Sequence, residues 1–183
     1  MYSPKIKVEI QAILTDQDSR VIKRYPWKRA NSLLKQFILL LTIQLSQVAQ
    51  IVKNIAGAER SLGISASNFR NNTAINVTTH GIIIGTGTTP VTMTDWKLQT
   101  QVTTNIAHAA VTHAVENPDT TTWRVAISRG FTNNTGAVLN VTEVGLASQD
   151  GDGTYDLLDR TLYAVAVPSG TTLTLTYRIT ISL

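Results

Sequence analysis

The last twelve residues of the chain, TLTLTYRITISL, alternate between apolar and polar side chains without interruption. The apolar members of this run are Leu173, Leu175, Tyr177, Ile179, Ile181 and Leu183. Because successive side chains of a β-strand point to opposite faces of the sheet, the alternation predicts a strand with one apolar and one polar face. Such a strand requires a sheet whose apolar face is covered by another layer.

Turn-forming residues divide the preceding region into further strand-like runs at spacings of roughly 8–12 residues. The run GIIIG, residues 81–85, predicts a short, buried central strand. Residues 123–131 and 137–146 predict a hairpin around FTNNTG, because Asn and Gly tolerate the backbone of a tight reversal. Residues 157–167 predict the strand before the last one. The predicted fold is mainly β: an antiparallel β-sandwich or a jelly-roll-like barrel, with an N-terminal β-hairpin and one long α-helix.

The N-terminal hairpin and the helix come from the first third of the chain. Residues 5–13 alternate, TDQDS is a polar turn, residues 20–25 return, and Pro26 ends the ladder because it has no N–H to donate. Asn31 or Ser32 is expected to cap a helix that runs to about Ile55, where Gly57 ends it. We therefore expect a docking or oligomerisation module in residues 1–60, a linker or surface loop in 57–73, and a β-sandwich domain in 74–183.

The predicted helix carries more apolar surface than one side of a small sandwich can cover. Its residues are therefore expected to pack against another copy or another protein, which predicts a homo-oligomer. The expected interface consists of Leu33, Leu34, Phe37, Ile38, Leu41 and Leu45. The most apolar stretch, residues 37–43, is far shorter than the roughly 20 residues of a membrane span, so no membrane partner is expected.

Positive charge is concentrated in the same region. Residues 1–60 carry ten Lys and Arg against four Asp and Glu, whereas residues 61–183 carry six against eight. A solvated strand edge and helix start explain this, and so does a surface for an acidic partner. The candidate contacts are Lys23, Arg24, Lys28, Arg29 and Lys35. With Trp27 they also define an alternative function, a nucleic-acid-associated protein, although the rest of the chain adds no basic face.

Motifs that carry chemistry are weak throughout the sequence. In GIIIGTGTTP, Pro90 stands at the third glycine position of a G-x-G-x-x-G pattern and no Lys-Ser/Thr follows, so the segment is a poor phosphate loop. Residues 148–159, SQDGDGTYDLLD, partly match a calcium loop but begin with Ser and lack the final Glu. His108 and His113 are five residues apart on opposite faces of a strand, and the chain has no cysteine. Glu143 lies mid-strand and is expected to pair with Arg124, Arg129 or Arg160. We predict no enzyme activity, no catalytic residues, no metal site and no cofactor.

Three groups of motifs resemble a broad group of small virion structural proteins from tailed bacteriophages. They are GTGTTPVT…D..L, F.N.TG…V.EVGL and LL.R…V.V.SG.TL…Y.I, and they follow a hairpin and helix of the KIKVEIQAILTDQDSRVIKRYPWKRANSLL type. The resemblance extends in order over nearly the whole chain. It implies a non-enzymatic particle component, such as a decoration protein, made in the host cytoplasm and attached to the capsid, portal, neck or tail. A glycan-binding adhesin with Trp96 and Trp123 in its loops remains a third alternative.

Overall fold

The computed structural model describes residues 5–30 and 34–182. These form a mainly β structure with antiparallel sheets and one helix, as the sequence predicts. In chain order the elements are β1 Lys5–Thr15, β2 Val21–Arg24, β3 Lys28–Arg29, α1 Lys35–Ser46, β4 Gln50–Lys53, β5 Glu59–Leu62, β6 Gly81–Gly85, β7 Ile106–His108, β8 Thr112–Asp119, β9 Thr122–Asn133, β10 Leu139–Gln149, β11 Tyr155–Val167 and β12 Thr172–Ser182. Within this part of the chain, no helix is long and apolar enough to cross a membrane.

The larger sheet has seven strands in the order β2-β1-β12-β9-β7, with β3 beside β1 and β8 beside β9. β1 pairs with β12 along its whole length, from Lys5 opposite Ser182 to Thr15 opposite Thr172. The first strand of the chain therefore lies in the same sheet as the last strand. The predicted alternation of β12 is confirmed at Leu173, Leu175 and Tyr177, whose side chains are fully buried. Ile181, further along the same face, is 52% exposed.

The smaller sheet has three strands in the order β11-β10-β6. The GIIIG strand β6 is buried at all five positions, as expected, but it lies at the end of the sheet and not in its centre. Its outer edge is covered by an irregular segment. Thr86 N–H donates to Thr100 O at 2.8 Å, and Val102 N–H donates to Ile84 O at 2.9 Å. The apolar run therefore predicted the burial of β6 correctly, because the irregular segment around Thr100 covers the edge that no neighbouring strand covers.

The FTNNTG segment is not a hairpin, so that prediction is wrong. β9 pairs within the larger sheet and β10 within the smaller one, so the segment is an arch that changes sheets. Asn133 forms the corner with its side chain: Nδ2 donates to Ala137 O and to Val167 O, each at 2.8 Å. Gly136 has the positive φ of 80° that was expected for the turn. The same turn-forming residues therefore reverse the chain between layers and not within one.

The helix is shorter than predicted. α1 ends at Ser46, because Gln47 takes a left-handed conformation with φ 57° and its N–H donates to Ile43 O at 2.9 Å. The following residues form β4, which pairs with β5, so the predicted continuation of the helix to Ile55 is wrong. Within the predicted linker or surface loop 57–73, Glu59–Leu62 form strand β5. Apolar β-branched residues such as Val52 fit a buried strand as well as a helical stripe. The predicted helix caps, Asn31 or Ser32, lie outside the described residues.

Candidate assembly surface and buried motif network

One face of α1 is apolar and exposed. Ile38 is 51% exposed, Leu41 37% and Leu45 78%, and their spacings of three and four residues place them on one side of the helix. We call these three residues the outer strip. The opposite side of the helix is buried and contains Leu40 and Ile43. The outer strip is therefore left uncovered by the described residues of the chain itself.

Leu34 and Phe37, two further predicted interface residues, pack within the fold. Leu34 is fully buried in an apolar cluster with Ile83, and its N–H donates to Leu158 O at 2.7 Å. Phe37 is half-buried, with its ring 5.4 Å from that of Phe69. Leu34 is thus not available to a partner, and this part of the predicted interface is corrected. Leu33 lies outside the described residues. Helical spacing identifies apolar stripes but not which of them faces the sheet.

A second exposed apolar surface lies at one end of the larger sheet, and sequence reasoning missed it. Ile6 of β1 lies opposite Ile181 of β12, which in turn lies opposite Trp123 of β9. Directly opposed residues of antiparallel strands point to the same face. These side chains are 68%, 52% and 56% exposed, in that order, and we call them the sheet-end patch. The sequence signal for this patch is the apolar–polar alternation of β12, which continues beyond the residues that are buried in the core.

A fully buried carboxylate joins the motifs that carry the resemblance. Glu143 of EVGL accepts hydrogen bonds at Oε1 from Gly87 N at 3.0 Å and Thr100 N at 2.8 Å. Its Oε2 accepts from Gln99 N at 3.1 Å and from Arg160 Nε at 2.8 Å. The predicted pairing of Glu143 with a sheet arginine is confirmed, and the partner is Arg160. Four donors bind the two carboxylate oxygens, so Glu143 connects neighbouring segments of the fold.

Arg160, from the LLDR motif, extends this network to the end of GTGTTP and to the loop that follows it. Its guanidinium donates to Asp95 Oδ2 at 2.8 Å, to Thr89 O at 3.0 Å and to Pro90 O at 3.4 Å. Burial alone would lower the pKa of Arg160, but its bonds to Glu143 and Asp95 raise that pKa above its ordinary value. Two carboxylates around one guanidinium therefore keep the buried cation charged and connect three distant segments.

The glycines of GTGTTP are required by this network. A Cβ on Gly85 would lie 2.5 Å from Thr100 O and 2.6 Å from Glu143 Oε1. A Cβ on Gly87 would lie 2.5 Å from the same carboxylate oxygen. The two glycines thus allow backbone to approach a buried side chain, which accounts for the motif without a phosphate ligand.

The acidic turn between β10 and β11 holds an arginine. Arg60 of β5 bonds to Asp150, and its Nη2 lies 3.1 Å from Asp156 Oδ2. Both carboxylates are buried, and burial together with the neighbouring Asp150 raises the pKa of Asp156 to about 8. In residues 5–30 and 34–182, no group of three or more His, Cys, Asp or Glu is arranged to hold a metal. The guanidinium connects the β4–β5 pair to the turn.

The histidines and tryptophans lie in separate environments. His108 is buried against Phe131 at 5.3 Å between ring centroids, and burial lowers its pKa to about 4. His113 is exposed, with Nε2 2.6 Å from Asn71 Oδ1. Trp96 is half-buried with two lysine ammonium groups at 4.9 Å from its ring, whereas Trp123 belongs to the sheet-end patch.

Four of the five basic candidates lie together. Lys23 and Arg24 are on β2, and Lys28 and Arg29 on β3, all exposed at the edge of the larger sheet. Lys35 lies elsewhere, at a cavity of about 410 Å³ that is also lined by Lys53 and Glu59.

Comparisons with family models, with curated proteins and with solved structures find no match to the chain.

Proposed function

We propose that the protein is a non-enzymatic structural component of a tailed-bacteriophage virion, attached to capsid or tail through subunit interfaces. The observation that carries this proposal is the outer strip, Ile38, Leu41 and Leu45. Leaving such side chains in water forgoes roughly 1.5–3 kcal/mol for each one that could be buried. Contiguous exposed apolar surface of this kind is typical of protein interfaces.

The architecture that we propose for the body is a β-sandwich. Its support is the core, in which buried side chains of both sheets form a single cluster. Ile10 and Leu175 of the larger sheet and Val144 of the smaller sheet are fully buried members. A closed barrel is not formed by the described strands, since the larger sheet ends at β2 and at β7.

The buried motif network supports a structural role for the residues that carry the resemblance. Glu143 and Arg160 are both fully buried and bonded to backbone groups of the GTGTTP loop and of the segment around Thr100. A general acid or base needs free access to a substrate proton, and this carboxylate has its oxygens occupied by donors. The network instead stabilises long loops on a rigid sheet, which suits a component that presents fixed surfaces to neighbours.

The partners implied by this role are further copies of the chain and other virion proteins of the capsid, portal, neck or tail. The protein would be made in the host cytoplasm and located in the virion. Mass spectrometry of purified particles, split into heads and tails, tests this directly. We expect the chain in one of the two fractions at a stoichiometry of several copies per particle. Its absence from both fractions, with presence in the cell lysate, would refute the proposal.

A further inference from the structure

A cleft lies between the edge of the larger sheet and β11 of the smaller one. Its volume is about 350 Å³, within the range of ligand-binding pockets. The lining residues are Tyr25, Pro26, Trp27, Lys28, Tyr163 and Ala164. Tyr163 closes the cleft at one side, where its hydroxyl donates to Pro26 O at 3.4 Å. The segment between β2 and β3 thus forms one wall, and a strand from far along the chain forms the other.

Each aromatic ring of the cleft has a cation beside it. Lys23 Nζ lies 4.6 Å from the centroid of the Tyr25 ring, and the guanidinium of Arg178 lies 4.1 Å from that of Trp27. Lys28 Nζ lies 5.8 Å from the centroid of the Tyr163 ring and donates to Leu162 O at 2.9 Å. Lys28 therefore lines the cleft itself, while Lys23 and Arg178 lie against two of its rings. The sequence shows this arrangement only in part, as KRYPWKR.

The charge at this edge is largely unneutralised. Lys23, Arg24, Lys28 and Arg29 make no ion pair with any carboxylate of the described residues. Exposed lysines alone would suffice to protect a strand edge from pairing with another chain. Edge protection does not account for a cavity lined by three aromatic rings.

We propose that this cleft binds single-stranded nucleic acid. Proteins that bind single strands combine a positively charged track for the phosphates with aromatic side chains against which bases stack. Here the four edge cations follow the phosphates, and Tyr25 and Trp27, both half-buried, take a base. The bases of a duplex are already stacked on each other and cannot stack on the aromatic rings of the cleft. An acidic protein would be bound by the positive charges alone and would not require these rings. The site is separate from the outer strip and does not depend on the virion role.

The test is fluorescence anisotropy of a labelled oligothymidine of about 20 nucleotides, titrated with the intact protein at several salt concentrations. Neutralising four phosphates on a single strand gives a slope of about −2.8 for the logarithm of the affinity against the logarithm of salt. Replacing Lys23→Gln together with Lys28→Gln should reduce the slope by about 1.4. Trp27→Ala should weaken binding roughly 5- to 150-fold with the slope unchanged, because it removes a stacking surface and no charge.

Lys53→Gln is the matched control, since Lys53 also lies beside a tryptophan, Trp96, but outside the cleft. It should leave affinity and slope as in the original protein, and all variants should retain its circular dichroism spectrum. Absence of binding at low salt would overturn the proposal. It would also be overturned if duplex DNA, a polyglutamate or an acidic glycan of equal charge bound as tightly and Trp27→Ala had no effect. That result would show attraction by charge alone.

Discussion

Glu143 on β10 and Arg160 on β11 form an ion pair of 2.8 Å in which neither side chain has exposed surface. Burial of two charges is favourable only when further hydrogen bonds satisfy both groups, and here backbone donors and a second carboxylate do so. The pair therefore holds together segments that are far apart in the chain.

Removing one partner should be strongly destabilising. Glu143→Ala leaves Arg160 buried with Asp95 as its remaining carboxylate, and we expect a loss of about 3–5 kcal/mol in the free energy of unfolding. Urea denaturation followed by tryptophan fluorescence measures it. Glu116→Ala is the matched control, because Glu116 pairs with Arg178 at 3.2 Å in a partly exposed position and should cost less than about 1 kcal/mol. Equal losses in the two variants would show that the buried network stabilises the fold no more than a partly exposed ion pair does.

A methyl group on Gly87 should act on the same network. Its Cβ would overlap Glu143 Oε1, and because that carboxylate is fully buried and held by its donors, we expect Gly87→Ala to cost about 1–3 kcal/mol. Gly63→Ala is the control, since a Cβ there meets no atom within 4 Å. That change should be neutral or slightly stabilising by reducing the entropy of the unfolded chain. Similar thermal unfolding of both variants would contradict the close approach described above.

Asp156 predicts a pH dependence of stability. Its folded pKa of about 8 lies above its ordinary value of 3.8, so the folded protein binds a proton that the unfolded chain releases at lower pH. Its contribution to stability is therefore fully present below about pH 4 and is lost progressively as the pH rises toward 8. Asp156→Asn removes this dependence, because the amide stays neutral.

The measurement is the urea midpoint of both proteins at pH 5 and pH 8. The advantage of the Asp156→Asn variant over the original protein should grow between the two values. Asp18→Asn, at an exposed carboxylate 3.9 Å from Arg20, serves as the control and should show no such change. A constant difference between the Asp156 variant and the original protein would contradict a raised pKa.

The strand content and the burial of β6 could be predicted because alternation and apolar runs report local burial directly. The assignment of β9 and β10 to different sheets could not, since the Asn133 side chain builds an arch from residues that also form tight turns. The end of α1 was not predicted, because an apolar residue such as Val52 fits the spacing of a helix face and the alternation of a strand equally well. The sequence offered three arginines as partners of Glu143, and the pairing register of β10 with β11 places Arg160 next to it.

For the candidate sites, residue type indicated the region but not the face. The outer strip was contained in the predicted interface, although Leu34 turned inward. The aromatic cleft depends on Tyr163, which approaches Lys28 only through packing of the two sheets. Contacts of this kind depend on tertiary structure and leave no local pattern in the sequence.

The central claim is that the outer strip is a subunit interface, and sedimentation equilibrium at micromolar concentration tests it most directly. We predict that the original protein is oligomeric and that Leu41→Asp with Leu45→Asp yields folded monomers, because charges cannot be buried in an apolar contact without a large cost. Ile75→Asp is the matched control: Ile75 is 69% exposed outside the helix, and its variant should remain oligomeric. A monomeric original protein, or association that survives both aspartates on the strip, would contradict the claim.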